Sequence, residues 1–209
     1  MQHPRPIRPV HASPIPGSGI PPRGLFLSRW SVLLNKPGLE AIGELSSEDF
    51  NRDCLALLAR AAQRHWKLYV CGNEPAIAQG RLPEERWTRF ENRLVELLAA
   101  QGVVLTRHYA CLDSADGAGK RRRESVFEFP NTGVFYHAMQ EDGLVLGESW
   151  ILSADTHELA AGWRAGVHTA CIGAAARRQA GDLAVEPDLL ASQPAALLKE
   201  VLLRDPMLR

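Results

Sequence analysis

The chain has 209 residues, with 24 Lys plus Arg set against 24 Asp plus Glu. A formal net charge of zero gives no long-range attraction to nucleic acid or to an anionic lipid surface. Hydrophobic residues make up 45% and charged residues 23%, which suits a globular domain with one sizeable core, and no apolar run reaches the roughly 18 residues of a membrane span.

Met1 to Pro22 carries seven prolines and no apolar core segment. Residues 1–22 therefore read as a disordered or extended arm and not as a secretory signal. Cys54, Cys71, Cys111 and Cys171 form no Cys-x-x-Cys clip. They read as buried free thiols, and a cytoplasmic location is expected.

The apolar run from Gly24 to Ser28 predicts a buried strand that ends at Arg29-Trp30-Ser31. Ser46 and Asp49 form a capping box at the head of a helix. Leu55, Leu57, Leu58, Ala61 and Ala62 give that helix its apolar face, and His65-Trp66 ends it. Residues 67–71 predict a second strand, stopped by Gly72-Asn73. A helix follows from Pro83, with Trp87, Phe90, Leu94, Leu97 and Leu98 at helical spacing. Residues 103–105, running on towards Tyr109, predict a third strand, residues 148–152 a fourth and 169–172 a fifth. A helix over 156–165, ended by Gly166, joins the last two. The tail, residues 187–209, carries Leu189, Leu190, Leu197, Leu198, Val201 and Leu202 and reads as a last helix packed on the domain.

Strands alternating with helices predict an α/β fold over residues 23–186: three layers, with a doubly wound, mostly parallel sheet and helices on both faces. Ligands of such sheets sit at the carboxyl ends of the strands. The loops to inspect follow Leu27, Cys71, Ala110 and Leu152.

Those loops carry a resemblance. Leu68-Tyr-Val-Cys-Gly-Asn-Glu-Pro-Ala-Ile-Ala-Gln-Gly80 resembles strand-Thr-Asn-Gln-Ser-Gly-Ile-Ala-Arg-Gly. Leu25-Phe-Leu-Ser-Arg-Trp-Ser-Val-Leu-Leu-Asn35 resembles Phe-Leu-Asp-Arg-Asp-Gly-Val-(Ile/Leu)-Asn with one extra residue. Ala160-Ala-Gly-Trp-Arg-Ala-Gly-Val-His-Thr169 resembles a helix and turn that follow a last acidic motif. All three are motifs of the haloacid dehalogenase (HAD) superfamily, in its heptose-bisphosphate and histidinol phosphatase branch. The resemblance runs from about Leu25 to Gly173 and implies a Rossmann-like HAD fold with no large cap domain.

The family's chemistry, as the resemblance implies it, uses a first-loop Asp that attacks phosphorus and a second Asp two residues on that protonates the leaving oxygen. A Thr or Ser and a Lys bind the phosphoryl oxygens, and further acids help hold Mg²⁺. Carried over, the nucleophile position is Ser28 and the acid/base position is Trp30. The second-motif Thr is Gly72, beside a matching Asn73. The Lys of a Lys-Pro-x-Pro-Gly loop is Phe129, and the Gly-Asp pair is Ser153-Ala154. Glu158 stands for the last acid, with Asp155 next to the lost one; these two are the weak metal candidates. Of a zinc loop built from Cys and His only Cys111 remains, too few ligands for zinc. Residues 25–35 contain no acid in any register.

The expectation is a non-catalytic HAD-like protein, a pseudophosphatase, with no cofactor and no catalytic residue. It would bind a partner protein or a phosphorylated sugar ligand in bacterial surface-carbohydrate synthesis, with no nucleic-acid partner and a homodimer left open. The arm and the tail are candidate contact surfaces. The alternative is a Mg²⁺-dependent sugar-phosphate phosphatase with a rearranged site, in which case magnesium would be its cofactor. Trp30 reads as a plug in the emptied pocket, or else as a stacking platform. Ser28 as a nucleophile would need His137 or His157 as its base. Arg29, Asn73 and the basic run Lys120, Arg121, Arg122 and Arg123 are candidate ligand contacts; a solvated face is the competing reading of that run.

Overall fold

The computed structural model describes residues 22–35, 38, 42–173 and 181–204. The Pro-rich arm up to residue 21 and the end of the tail, residues 205–209, lie outside the described residues. Six strands form one sheet: β1 Arg23–Ser28, β2 Trp66–Asn73, β3 Arg107–Cys111, β4 Trp150–Ser153, β5 His168–Ile172 and β6 Leu189–Ala191. Their order is β3-β2-β1-β4-β5-β6, and every pairing is parallel. This is the doubly wound order, in which the chain moves outward from β1 first one way and then the other.

Alternation along the strands sorts the core into two layers. Leu25, Leu27, Leu68, Val70 and Leu152 face one side. There they pack on α1 (Arg52–Gln63), α3 (Glu84–Ala100) and α6 (Pro194–Leu203), through residues such as Leu58, Trp87, Leu94 and Leu198. Phe26, Tyr69, Cys71 and Ile151 face the other side, against α4 (Gly133–Asp142) and α5 (Thr156–Arg164). A Cβ on Gly162 of α5 would lie 2.5 Å from the Ile151 side chain, so only glycine lets this helix approach so closely. The remaining helix is one turn, α2 Pro75–Ala78. No helix among the described residues is long and apolar enough to cross a membrane.

Several boundaries differ from expectation. The Ser46–Asp49 capping box exists, but it closes a short 3₁₀ turn; the helix itself starts at Arg52, capped by Asn51, whose side chain accepts from the Cys54 amide. The third strand begins at Arg107, because Val104 is solvent-exposed and pairing with β2 starts only where Tyr69 meets Arg107. The expected helical tail begins as a strand: Leu189–Ala191 extends the sheet beyond β5, anchored by the Asp188 carboxylate accepting from the Thr169 amide at 2.9 Å. The helix starts only at Pro194, whose fixed φ suits a first turn. Helix α4, Gly133–Asp142, is not among the elements expected from periodicity, because its amphipathic pattern is weak and it follows what reads as a loop.

Candidate functional site

A cavity of about 710 Å³ opens at the carboxyl ends of β1, β2 and β4, where the strand order reverses. Ser28, Trp30, Asn73, Phe129, Asp155 and Glu158 are in its wall. After Ser28 the backbone makes one π-helical turn, Arg29–Leu33. Such single wide turns are frequent at functional sites. Ser31 Oγ on the turn accepts from the Ala154 amide at 3.0 Å and ties the β1 loop to the β4 loop.

The turn sends Arg29 inward. Its side chain is fully buried and forms an ion pair with Glu74, itself buried after β2. The guanidinium stacks over Trp87 at 4.7 Å and lies 2.7 Å from His108 Nε2, whose Nδ1 contacts Glu91 at 2.7 Å. Burial lowers the pKa of His108, so the ring is neutral and its Nε2 accepts from Arg29. Trp30 Nε1 donates to Glu74 at 2.9 Å, and the indole stacks on Phe90 with centroids 5.4 Å apart. Trp30 thus belongs to the wall, and the cavity beside it is open. It does not fill the cavity beside Ser28 and Ala154, and the space over Gly72 is taken by Arg29 and Glu158.

Glu158, at the start of α5, is buried and accepts from Ser153 Oγ at 2.6 Å. Burial first, and then the charge of Asp155, push its carboxyl up to about 7, against the opposing hydrogen bonds from Ser153 and Ser28 and the charge of Arg29. Asp155 is the N-cap of α5, accepting from the amides of His157 at 2.8 Å and Glu158 at 3.1 Å. Gly72 has φ +155°, and a Cβ there would lie 3.1 Å from Arg29 Nη2 and 3.2 Å from Glu158 Oε1. The place of the family's hydroxyl is therefore crowded by a guanidinium and a carboxyl. Asn73 spends its amide on the backbone of Phe129, donating to the carbonyl and accepting from the N–H, both at 2.9 Å.

The structure brings Ser28, Trp30, Asn73, Phe129, Ala154, Asp155 and Glu158 together, with Gly72 and Arg29 just behind them. The basic run lies elsewhere. Lys120 meets Glu84 at 2.8 Å, and Arg121 and Arg123 meet Asp113 at 3.0 and 2.7 Å, while Arg122 is exposed. Neither histidine serves Ser28: His137 bonds the Tyr109 hydroxyl at 2.9 Å, and His157 faces Asp155 at 3.5 Å. Glu74 and Ser31 were not singled out from sequence as site residues, and Ser153 was read only as standing for a lost glycine. The only available signal for Glu74 was its place after Asn73 in the second motif, since its partner lies 45 residues away.

No family model matches the chain. A curated relative, D-glycero-α-D-manno-heptose-1,7-bisphosphate 7-phosphatase of Burkholderia mallei, is 27% identical over 148 residues, which are 70% of this chain and 77% of that protein. Among solved structures, a Mesorhizobium loti protein described as a HAD-like phosphatase superposes with a TM-score of 0.67 at 23% identity, covering 90% of both chains. D,D-heptose 1,7-bisphosphate phosphatase from B. bronchiseptica superposes with a TM-score of 0.68 at 17% identity, covering 86% of this chain and 98% of its own. That structure holds magnesium and phosphate. The expectation that no cofactor is involved is corrected by this finding, because it rested on counting lost acids and not on what relatives of this fold bind. Sequence and structural neighbours alike point to the HAD-like phosphatases, heptose-bisphosphate phosphatase among them, as the family this chain resembles.

Proposed function

We propose that the cavity binds a sugar phosphate together with Mg²⁺ and hydrolyses it slowly through a rearranged site. The observation that carries this reading is the Ser28–Glu158–Ser153 cluster at the head of an open cavity. Kinship with the heptose-bisphosphate phosphatase of B. mallei supports a phosphorylated sugar as the substrate class.

Magnesium is commonly held by one or two carboxylates, waters and the substrate's own phosphate. Asp155 fits that role: it is exposed at the cavity wall and only its Oδ1 is spent on capping. Among the described residues no group of three ligands would hold the ion unaided, so the fit is to a site that substrate completes. When bound, the ion offsets charge on the phosphoryl oxygens. Ser28 Oγ stands at the attacking position, hydrogen-bonded to Glu158. Glu158 takes the hydroxyl proton as the oxygen–phosphorus bond forms; the bond to the sugar oxygen breaks on the opposite side, and that oxygen takes its proton from water in the open cavity. Water then cleaves the phosphoserine, and Glu158 returns its own proton to Ser28. A serine replaces a carboxylate, and Phe129 replaces a phosphate-binding lysine, so turnover is expected to fall by roughly 10³-fold or more against an intact site.

Intact-mass measurement after incubation with a sugar phosphate and Mg²⁺ tests this step. The expected result is a fraction of chain carrying one phosphoryl group, absent from Ser28→Ala and reduced in Glu158→Gln. A second reading is favoured by one observation, the absence of any acid from residues 25–35: the cavity binds the sugar phosphate without turning it over. Saturable binding with neither phosphoryl-chain nor phosphate release would select that reading.

A further inference from the structure

A second groove, of about 330 Å³, runs along the free edge of β3. Tyr109, Phe127 and His137 line its apolar side, and Asp113, Arg121 and Ser125 its polar side. One segment borders both spaces: Phe127 belongs to the groove, while Glu128 and Phe129 belong to the cavity. The two sites also share adjacent strand ends, since Asn73 in the cavity pairs in register with Cys111 in the groove.

The aromatic side chains form a ladder across the sheet. Phe26 stacks on Tyr69 at 4.6 Å, Tyr69 on Tyr109 at 6.0 Å, and Tyr109 on Phe127 at 6.2 Å, all within 25° of parallel. Its inner end, Phe26, is fully buried, and its outer end, Phe127, is half-buried. His137 meets both Tyr109 and Phe127 edge-on and is fixed by the Tyr109 hydroxyl, so the outer rings are held rigidly. Two parallel rings whose centroids are 6.2 Å apart leave no slot for a third between them. A ligand ring can only extend the ladder over the outer face of Phe127.

Resting on the sugar-phosphate reading of the cavity, we infer that this groove is the subsite for the ligand's sugar ring: the phosphate sits in the cavity, the chain crosses the 127–129 segment, and the ring's C–H face lies on Phe127. The groove's two sides match a saccharide, which offers an apolar face to an aromatic ring and hydroxyls to carboxylate and guanidinium groups. Asp113 and Arg121 already pair with each other at 3.0 Å, and sugar hydroxyls would add to that pair.

The test is calorimetric binding of two probes, glucose 6-phosphate and the ring-free ester glycerol 3-phosphate, in Mg²⁺, to the native chain, Phe127→Leu and Phe127→Ala. Leucine keeps apolar bulk without a ring face, so folding is guarded by the milder variant. The expected result is that the sugar ester binds more tightly, and that both variants lose roughly three- to tenfold for it while the ring-free ester is unchanged. Equal binding of the two probes, unaffected by either variant, overturns the subsite and leaves the cavity reading standing. Loss of both probes alike in both variants would also overturn it, as damage to the cavity itself. Failure of the native chain to bind either probe removes the sugar-phosphate reading and this subsite with it.

Discussion

Two arginine–carboxylate clusters flank the site, and their surroundings set them apart. Arg29–Glu74 lies under the cavity, shielded from water and stacked on Trp87. Asp113 with Arg121 and Arg123, extended by Glu84 and Lys120, lies in the loop after β3, partly in solvent. A buried pair costs much desolvation but leaves a stranded charge if one partner is removed, whereas an exposed pair is screened and worth little. The floor of the cavity is therefore fixed, and the loop beside it is held by interactions that salt can loosen.

The contrast can be broken most forcefully at Arg29. Arg29→Ala should cost about 3–5 kcal/mol in denaturant unfolding by stranding buried Glu74, and Arg29→Met with Glu74→Gln should recover most of it. A next effect is pH-dependent. Glu158 has an ordinary carboxyl value of 4.5 and rises to about 7 when folded. Between those values the folded chain holds more protons, so this group's contribution to stability weakens as pH rises and is restored as pH falls. Glu158→Gln removes that slope, and wild type should lose about 2 kcal/mol relative to the variant between pH about 5 and about 8. Gly72→Thr, which restores the family's hydroxyl, should lower stability by roughly 1–2 kcal/mol, because a positive φ and two close side chains oppose it. The smallest effect belongs to the loop. Asp113→Asn should change global stability by less than about 1 kcal/mol, yet proteolysis within residues 114–123 should quicken, and high salt should reproduce the effect in the native chain.

Much of the fold was legible because its strands are apolar runs ended by Gly, Asn or polar residues: β1, β2, β4 and β5 fall close to where periodicity puts them. The edge strands were less so: the third was expected from residue 103 towards Tyr109 and forms at Arg107–Cys111, which is half-buried and mixed in character, while Leu189–Ala191 has only three residues and read as part of a helix, so sheet pairing decides both. The residues of the site were legible as positions through motif resemblance, and Ser28, Gly72, Phe129, Ala154 and Glu158 do gather at the switch of strand order. Their partners were not. That Arg29 turns inward, that Trp30 leans on Phe90, and that Glu158 holds two serine hydroxyls are long-range facts set by the π-turn and by burial.

The central claim is tested most directly by phosphate release from a panel of sugar phosphates, with and without Mg²⁺, by the native chain beside Ser28→Ala. The account predicts slow release that requires Mg²⁺, stands above a heat-denatured control, and disappears in Ser28→Ala. Release that is unchanged in Ser28→Ala, or no release by the native chain under any condition, would contradict it.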